Sequence, residues 1–333
     1  MARTLIATIP STRENLIING NMDFWQRDTS FVSLVGGQYT ADRFFEFKNA
    51  SAFAGGVTRQ AEDIPGIGNT YTLQVARNPG NTDTSGHFLS YLFEQVDTQL
   101  MRNRTFTLSF YARSGSGYTP IDENLRVRIQ ASNQGEFDNL TFTVDHNLVD
   151  QNASLNNATM ERFSYTFTVP SDATQLRIRW ISEHQGTAPS NDSYRIGAIM
   201  LHEGGVVAPF RRYGTDYGRE LLACQRYFEK SYAVDTSIGA TTDLGSFRQR
   251  SLNNTSSGAI TDNVQFKVSK RAVPDVEIYS PATGAAGQMN REGVGDITGL
   301  KQNIGTYGFH VRNNVTAPTP ESYEWHFSAD AEL

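Results

Sequence analysis

The 333 residues include one cysteine, Cys224, which excludes an intrachain disulfide and a thiolate metal cluster. Histidine is sparse as well. His87, His146, His184, His202, His310 and His326 show neither HExxH nor His-x-His spacing, so no metal centre is predicted. No stretch approaches the ~20 apolar residues that cross a bilayer, and the opening Met-Ala-Arg-Thr-Leu-Ile-Ala-Thr-Ile-Pro lacks the apolar run of a secretory leader. The expectation is a soluble protein made in a cytoplasm, without membrane insertion. Basic charge is also short: at a net charge of −6, with Lys and Arg scattered among acids, duplex nucleic acid is not an expected partner. Gly115-Ser-Gly117 has too few glycines and no following helix for a phosphate loop, and no short repeat suggests a β-helix.

Catalytic constellations are lacking too. Asp145-His146 and Glu183-His184 are adjacent pairs, and adjacent side chains on a strand point to opposite faces. A glycosidase needs two carboxylates about 5 to 9.5 Å apart, and such a pair stays open among 35 acids without a positive sign of one. Cys224 reads as a small apolar core group, since no base neighbours it in sequence. No enzyme activity, catalytic residue or cofactor is expected.

What is abundant is turn and strand chemistry: 28 glycines, with many Asn, Thr and Phe residues. The stretch Asn15 to Thr29 organises the rest, with a short apolar strand Leu16-Ile17-Ile18, a tight turn at Asn19-Gly20, and the rings of Phe24 and Trp25 returning onto the strand. Trp25 reads as a core anchor, with a sugar-stacking platform as the alternative. Alternation then assigns inward rows: Phe106, Leu108 and Phe110; Leu125, Val127, Ile129 and Ala131; Phe163, Tyr165, Phe167 and Val169; Leu176, Ile178 and Trp180; Tyr194, Ile196 and Ala198. About eight or nine such strands, with no helix among them, predict an all-β jelly-roll β-sandwich over residues 15–212. Residues 1–14 read as an extended arm, either frayed or ordered on a neighbouring subunit. After Pro209, Thr215, Asp216 and Glu220 cap a short linker helix carrying Leu221, Cys224 and Phe228 on one face, and residues 213–333 continue as a second, smaller β-domain. Its segment from Ser280 to Gly299 reads as a long glycine-rich loop.

Five motifs in order then point to a family. Asn15-Leu-Ile-Ile-Asn-Gly-Asn-Met-Asp-Phe-Trp-Gln-Arg27, Tyr39-Thr-Ala-Asp-Arg43, Ala208-Pro-Phe210, Glu220-Leu-Leu-Ala-Cys-Gln-Arg-Tyr-Phe-Glu-Lys230 and Ala329-Asp-Ala-Glu-Leu333 resemble tailed-bacteriophage virion proteins of the tail-fibre, head-fibre and carbohydrate-binding kind. The resemblance implies a virion-surface appendage on a carbohydrate-binding-module-like jelly roll, assembled as a homotrimer. Glycan-binding modules similar to the first part open on an Asn-Gly-Asp-Phe-like turn and close on a strand with acids that help hold calcium. Here Gly197 and Ala198 stand where those acids would be, which leaves a structural calcium near Asp23 doubtful.

The expected function is a virion structural protein, a fibre or decoration used in host attachment, that meets host-surface glycan. A dedicated glycan-binding module and a polysaccharide depolymerase are the alternatives. Candidate glycan contacts are loop residues, Tyr118, Phe137, His184, Asn191 and Asp192, because sugar recognition needs a ring for stacking and planar polar groups for hydroxyls. The outward rows Arg126, Arg128, Arg177 and Arg179 are candidate subunit-interface residues, since like charges side by side need acids to meet them. The arm is expected to attach to other virion proteins by adding an extended segment to their surface.

Overall fold

The computed structural model describes residues 14–32, 36–48, 54–121, 124–251, 261–313 and 321–333. Of the expected arm, all but Glu14 lies outside the described residues.

The chain is almost entirely β. The first part comprises β1 (Ser30–Val32), β2 (Gly37–Tyr39), β3 (Phe44–Lys48), β4 (Gly55–Ile64), β5 (Gly68–Arg77), β6 (His87–Leu92), helix α1 (Gln95–Met101), β7 (Thr105–Ser114), β8 (Leu125–Ser132), β9 (His146–Ala153), β10 (Glu161–Thr168), β11 (Gln175–Ser182) and β12 (Ser193–Glu203). Two six-stranded sheets of order β1-β4-β5-β12-β7-β10 and β2-β3-β6-β11-β8-β9 form the sandwich. All their pairings are antiparallel, which lets each strand bury one face and expose the other. The rows read from alternation face the core: Phe106, Leu108, Phe110, Val127, Ile129, Ile178 and Trp180 are all buried there.

Three details differ from the sequence reading. Strands number twelve, because β1, β2 and β3 are too short to show alternation. Helix α1 interrupts them; at seven residues, with Thr98 and Met101 its buried positions, it is too short to show a helical period. Strand β12 carries a bulge between Gly197 and Met200, with Ala198 at φ 47°. The bulge shifts the alternation by one, so the core row continues as Ile199 and Leu201 rather than through Ala198.

That bulge receives the opening stretch. Leu16 to Ile18 run extended beside β12 without forming a ladder: Leu16 N–H donates to Leu201 O at 2.8 Å, and Asn15 Nδ2 donates to Ile199 O at 3.0 Å. Asn19 supplies the left-handed turn, with φ 62°, and its side chain holds Phe24 N–H at 2.9 Å and Phe24 O at 2.8 Å. Gly20 is required for close approach, since a Cβ there would lie 2.0 Å from Ile199 O. Trp25 is buried and donates Nε1–H to Met22 O at 2.8 Å.

The remaining chain forms α2 (Tyr217–Gln225), β13 (Phe228–Lys230), β14 (Phe247–Ser251), β15 (Thr261–Gln265), β16 (Asp275–Tyr279), β17 (Gln288–Arg291), β18 (Gly295–Thr298), β19 (Leu300–Gln302), β20 (Gly308–Arg312) and β21 (Glu321–Asp330). Asp216 caps α2, its carboxylate accepting from Arg219 N–H. Strand β21 is central, pairing with β13, β14, β16 and β17, and β15-β20-β19 form a small separate sheet. Trp325 stacks on Phe247 in this second core. The segment expected as a long loop holds the β17–β18 hairpin, turned through Gly293 at φ 76°. Its apolar content is low because Met289 is buried while Ile297 packs only at the margin of that core.

The two parts are packed together. Cys224 and Tyr227 form a cluster with Ile18 and Phe24, so the linker helix is built into the contact rather than standing free. Gln26 Nε2 donates to Asp42 and to Phe228 O at 2.8 Å, Arg27 pairs with Asp330 at 2.9 Å, and buried Arg43 pairs with Glu332. Four of the five family-like motifs therefore meet at this joint. The other, Ala208-Pro-Phe210, lies over the outer face of the first sheet, where Phe210 packs beside Ile64, Met160 and Ala198.

Candidate functional site

The outward faces of the two sheets differ in how their cations are met. On the first, Arg113 and Arg195 both reach Glu62, at 3.0 and 2.6 Å. On the second, the register sets Arg128 opposite Arg179 and Arg179 opposite Ser90. Arg126 and Arg128 share Asp150, at 2.5 and 3.3 Å, and hold its carboxyl below the usual range through the Arg126 hydrogen bond. Among the described residues, no carboxylate pairs with Arg177 or Arg179.

Arg177 is 3 % exposed. Its guanidinium lies 4.0 Å over the Phe142 ring and donates to Gln130 Oε1 at 2.9 Å and Asn139 O at 3.3 Å, so the 133–145 connection covers it. Arg179 is half-buried, with Nε donating to Ser90 Oγ at 3.3 Å and the guanidinium 5.0 Å from the Phe88 ring. Burial first, and then its charged neighbour, pull each down: Arg177 to about 9 beside Arg179, and Arg179 to about 10 beside Arg128. Phe47 stands against Phe88, with ring centroids 6.0 Å apart, and Ile181 is buried beside the arginines. Where β8, β9 and β11 end, a concavity of 440 Å³ opens, lined by Ile121, Asn124, Arg126, Asp150, Asn152 and Glu183. An apolar floor, planar amides and forked guanidiniums are thus placed on one surface.

The structure brings four of the five loop candidates together, at one end of the sandwich. Tyr118 is half-buried against the core; its hydroxyl bonds Ser182 Oγ at 2.8 Å and its ring approaches those of His184 and Tyr194. Asp192 is fully buried and engaged by Arg77 at 2.9 Å and by Thr119 N–H at 3.0 Å. His184 is buried as well, and burial followed by the Arg77 charge lowers its pKa to about 3, so it stays neutral. Asn191 is exposed at φ 58° and bonds Ser116 and Ser193. These groups fix the loop that leads to Ile121 and Glu183; they hold the rim of the concavity. Phe137 lies elsewhere, half-buried beside Leu92, Phe142 and Leu333. The sequence drew attention to Arg179 through its place in the outward arginine row, as a candidate subunit-interface residue. What the sequence did not show is that Asp150 takes two members of the row and leaves two.

At Asp23, Oδ2 accepts from Asn21 Nδ2 at 3.0 Å and pairs with the Arg212 guanidinium. Among the described residues, no cluster of three or more His, Cys, Asp or Glu side chains could hold a metal. Trp25, Trp180 and Trp325 are each at most 1 % exposed, so none offers a stacking platform. A larger groove of 700 Å³ lies beside α1 with Leu16, Tyr91, Met101 and Phe106 in its wall. Its Arg43 and Arg104 are already paired with Glu332 and Glu203, so neither cation is left to select an anionic ligand, and Glu14 and Asp97 add acids to the lining.

No protein-family model matches the chain, and no curated protein matches it. Solved structures do. The enzymatically active domain of tailspike protein 4 from bacteriophage CBA120 aligns at 13% identity and TM-score 0.36, over 57% of this chain and 21% of that one. A CBM4 structure aligns at 20% identity and TM-score 0.34, over 56% of this chain and 98% of that one. The C-terminal family 22 carbohydrate-binding module from Clostridium thermocellum aligns at 14% identity and TM-score 0.32, over 58% of this chain and 99% of that one. At these scores no residue is transferred from them to the surface described above.

Proposed function

We propose that this protein binds host-surface saccharide through the outward face of its second sheet, as part of a tailed-bacteriophage virion appendage. The observation that supports the binding reading is Arg179, a half-buried guanidinium without a carboxylate among the described residues, set against the Phe88 ring and close to a concavity lined by Asn124 and Asn152. A saccharide offers apolar C–H faces and hydroxyls that donate and accept, and such a surface answers both. The virion reading rests on the five motifs quoted from the sequence, and the homotrimer and the attachment of the 1–14 arm to other virion proteins rest on the same resemblance. An architectural subunit without saccharide contact is the second reading, favoured by the meeting of four of those motifs at the joint between the two parts.

Binding without cutting is part of the proposal. Asp150 and Glu183 share the concavity, but Arg126 and Arg128 keep Asp150 ionised, which removes it as a general acid, and engage both its oxygens, which ties it up as a nucleophile or base. A depolymerase would release new reducing ends from host polysaccharide; none is expected.

The test is adsorption of purified protein to host cells and to a glycan array, comparing the native chain with Arg179→Gln. Loss of at least tenfold in affinity with an unchanged melting temperature is expected, the scale of one charge-assisted contact. Equal binding by the variant would move the site elsewhere. No binding by the native chain on either surface would leave the architectural reading. Immunolabelled virions and sedimentation test the appendage and the trimer.

A further inference from the structure

We infer that the saccharide is an acidic polysaccharide, one whose sugar rings carry carboxylates. This rests on the binding face proposed above and adds the chemical class of its ligand.

Pairing with a carboxylate is the commoner pattern among the described arginines, with Arg102, Arg162, Arg211, Arg250 and Arg312 among the exceptions. Arg27, Arg43, Arg77, Arg113, Arg195 and Arg226 each meet a carboxylate at 3.0 Å or less. Arg177 and Arg179 depart from it side by side on one strand, and the next strand adds Arg126 and Arg128. Among the described residues, Asp150 is the carboxylate that pairs with any of these four cations, and it meets Arg126 and Arg128 only. A guanidinium removed from water beside another is held at a cost, as the lowered values of both arginines show. A ligand carboxylate supplies the missing partner, and the planar fork of Arg receives it with two parallel hydrogen bonds. With Nε on Ser90 Oγ, the Nη groups of Arg179 have no hydrogen-bond partner among the described residues and serve that contact. Arg177, covered by Phe142, adds its field without touching the ligand. A neutral glycan would leave both charges as they are.

The experiment uses the intact protein and two forms of one polymer: polygalacturonate, and the same polymer with its carboxylates reduced to alcohols. Binding to the native form, falling at least fivefold between 50 and 300 mM NaCl and absent on the reduced form, is expected. Arg179→Gln should weaken binding at least tenfold. Asp150→Asn should strengthen it about two- to threefold, because it releases Arg128 and removes one negative charge that repels the ligand's own. A merely misfolded variant cannot bind more tightly, so this arm stays informative if the Arg179 variant fails to fold. Equal binding to both forms, or to a neutral glycan alone, overturns the acidic class while the saccharide reading stands. Binding to nothing on the panel or on host cells removes both. Equal binding to polyphosphate marks general polyanion attraction and also overturns the inference.

Discussion

Glu332→Gln is expected to destabilise the protein by about 3–5 kcal/mol, the cost of leaving a buried charge without its partner. Arg43 is 1 % exposed and sits at φ 73°, so its guanidinium has no route to water without undoing the turn. Its other support is polar or aromatic but not anionic: Nη2 donates to Leu92 O at 2.7 Å, and the guanidinium lies 3.5 Å over the Tyr227 ring and 5.3 Å from that of Tyr91. The Gln side chain keeps the shape and loses the charge, and Arg27, 3.7 Å from the same carboxylate, then faces Arg43 with Asp330 as its nearest acid. Urea unfolding of Glu332→Gln, Arg43→Met and the double variant gives the coupling directly. Because the double variant buries no unpaired charge, the two single losses should exceed the double loss by about 2 kcal/mol or more. Additivity within about 0.5 kcal/mol, or a Glu332→Gln loss under about 1 kcal/mol, would refute the reasoning.

Gly20→Ala should cost about 3 kcal/mol or more in the same assay, since the new Cβ would lie 2.0 Å from the Ile199 carbonyl oxygen and both backbones are fixed; a loss below about 1 kcal/mol would show that the bulge can yield. Glu220 is buried, accepting from Asn19 N–H at 2.9 Å and from Arg212 at 2.8 Å, and burial raises its pKa to about 7 despite Arg212. The folded state therefore holds that proton more tightly than the unfolded one, so this group's contribution is fully favourable below about pH 4.3 and is lost as pH rises through 7, by about 4 kcal/mol at most. Glu220→Gln should flatten stability between pH 5 and 8, and an unchanged pH slope would count against the assignment.

The inward rows on β7, β8 and β11 were legible because a period of two, sustained over several residues, specifies which side of a sheet is buried. Trp180 followed from the same logic, and Trp25 from the large area that a tryptophan buries. Helix α1 and the β17–β18 hairpin were not legible: each is too short for a period, and glycines that punctuate a hairpin look the same as glycines in a loop. The candidate site was half legible. The arginine row was visible as outward, yet which arginines remain without an acid depends on strand pairing, and Asp150 reaches Arg126 only through the β8–β9 register. His184 and Asp192 look like exposed loop residues in the sequence. Arg77, 115 positions away from Asp192, holds that carboxylate inside, and only the topology supplies that partner.

Strand β21 gives the second part of the chain a direction in time. Strands β13, β14, β16 and β17 all precede it and all hydrogen-bond to it. On a ribosome they emerge with one edge waiting, and the β17–β18 hairpin is the local pairing available to them before residues 321–330 are made. Arg43 waits as well, its carboxylate lying still further along at Glu332. The sandwich can form its sheets from earlier sequence, but the joint closes last, and a nascent chain halted before β21 would display unpaired strand edges to its neighbours.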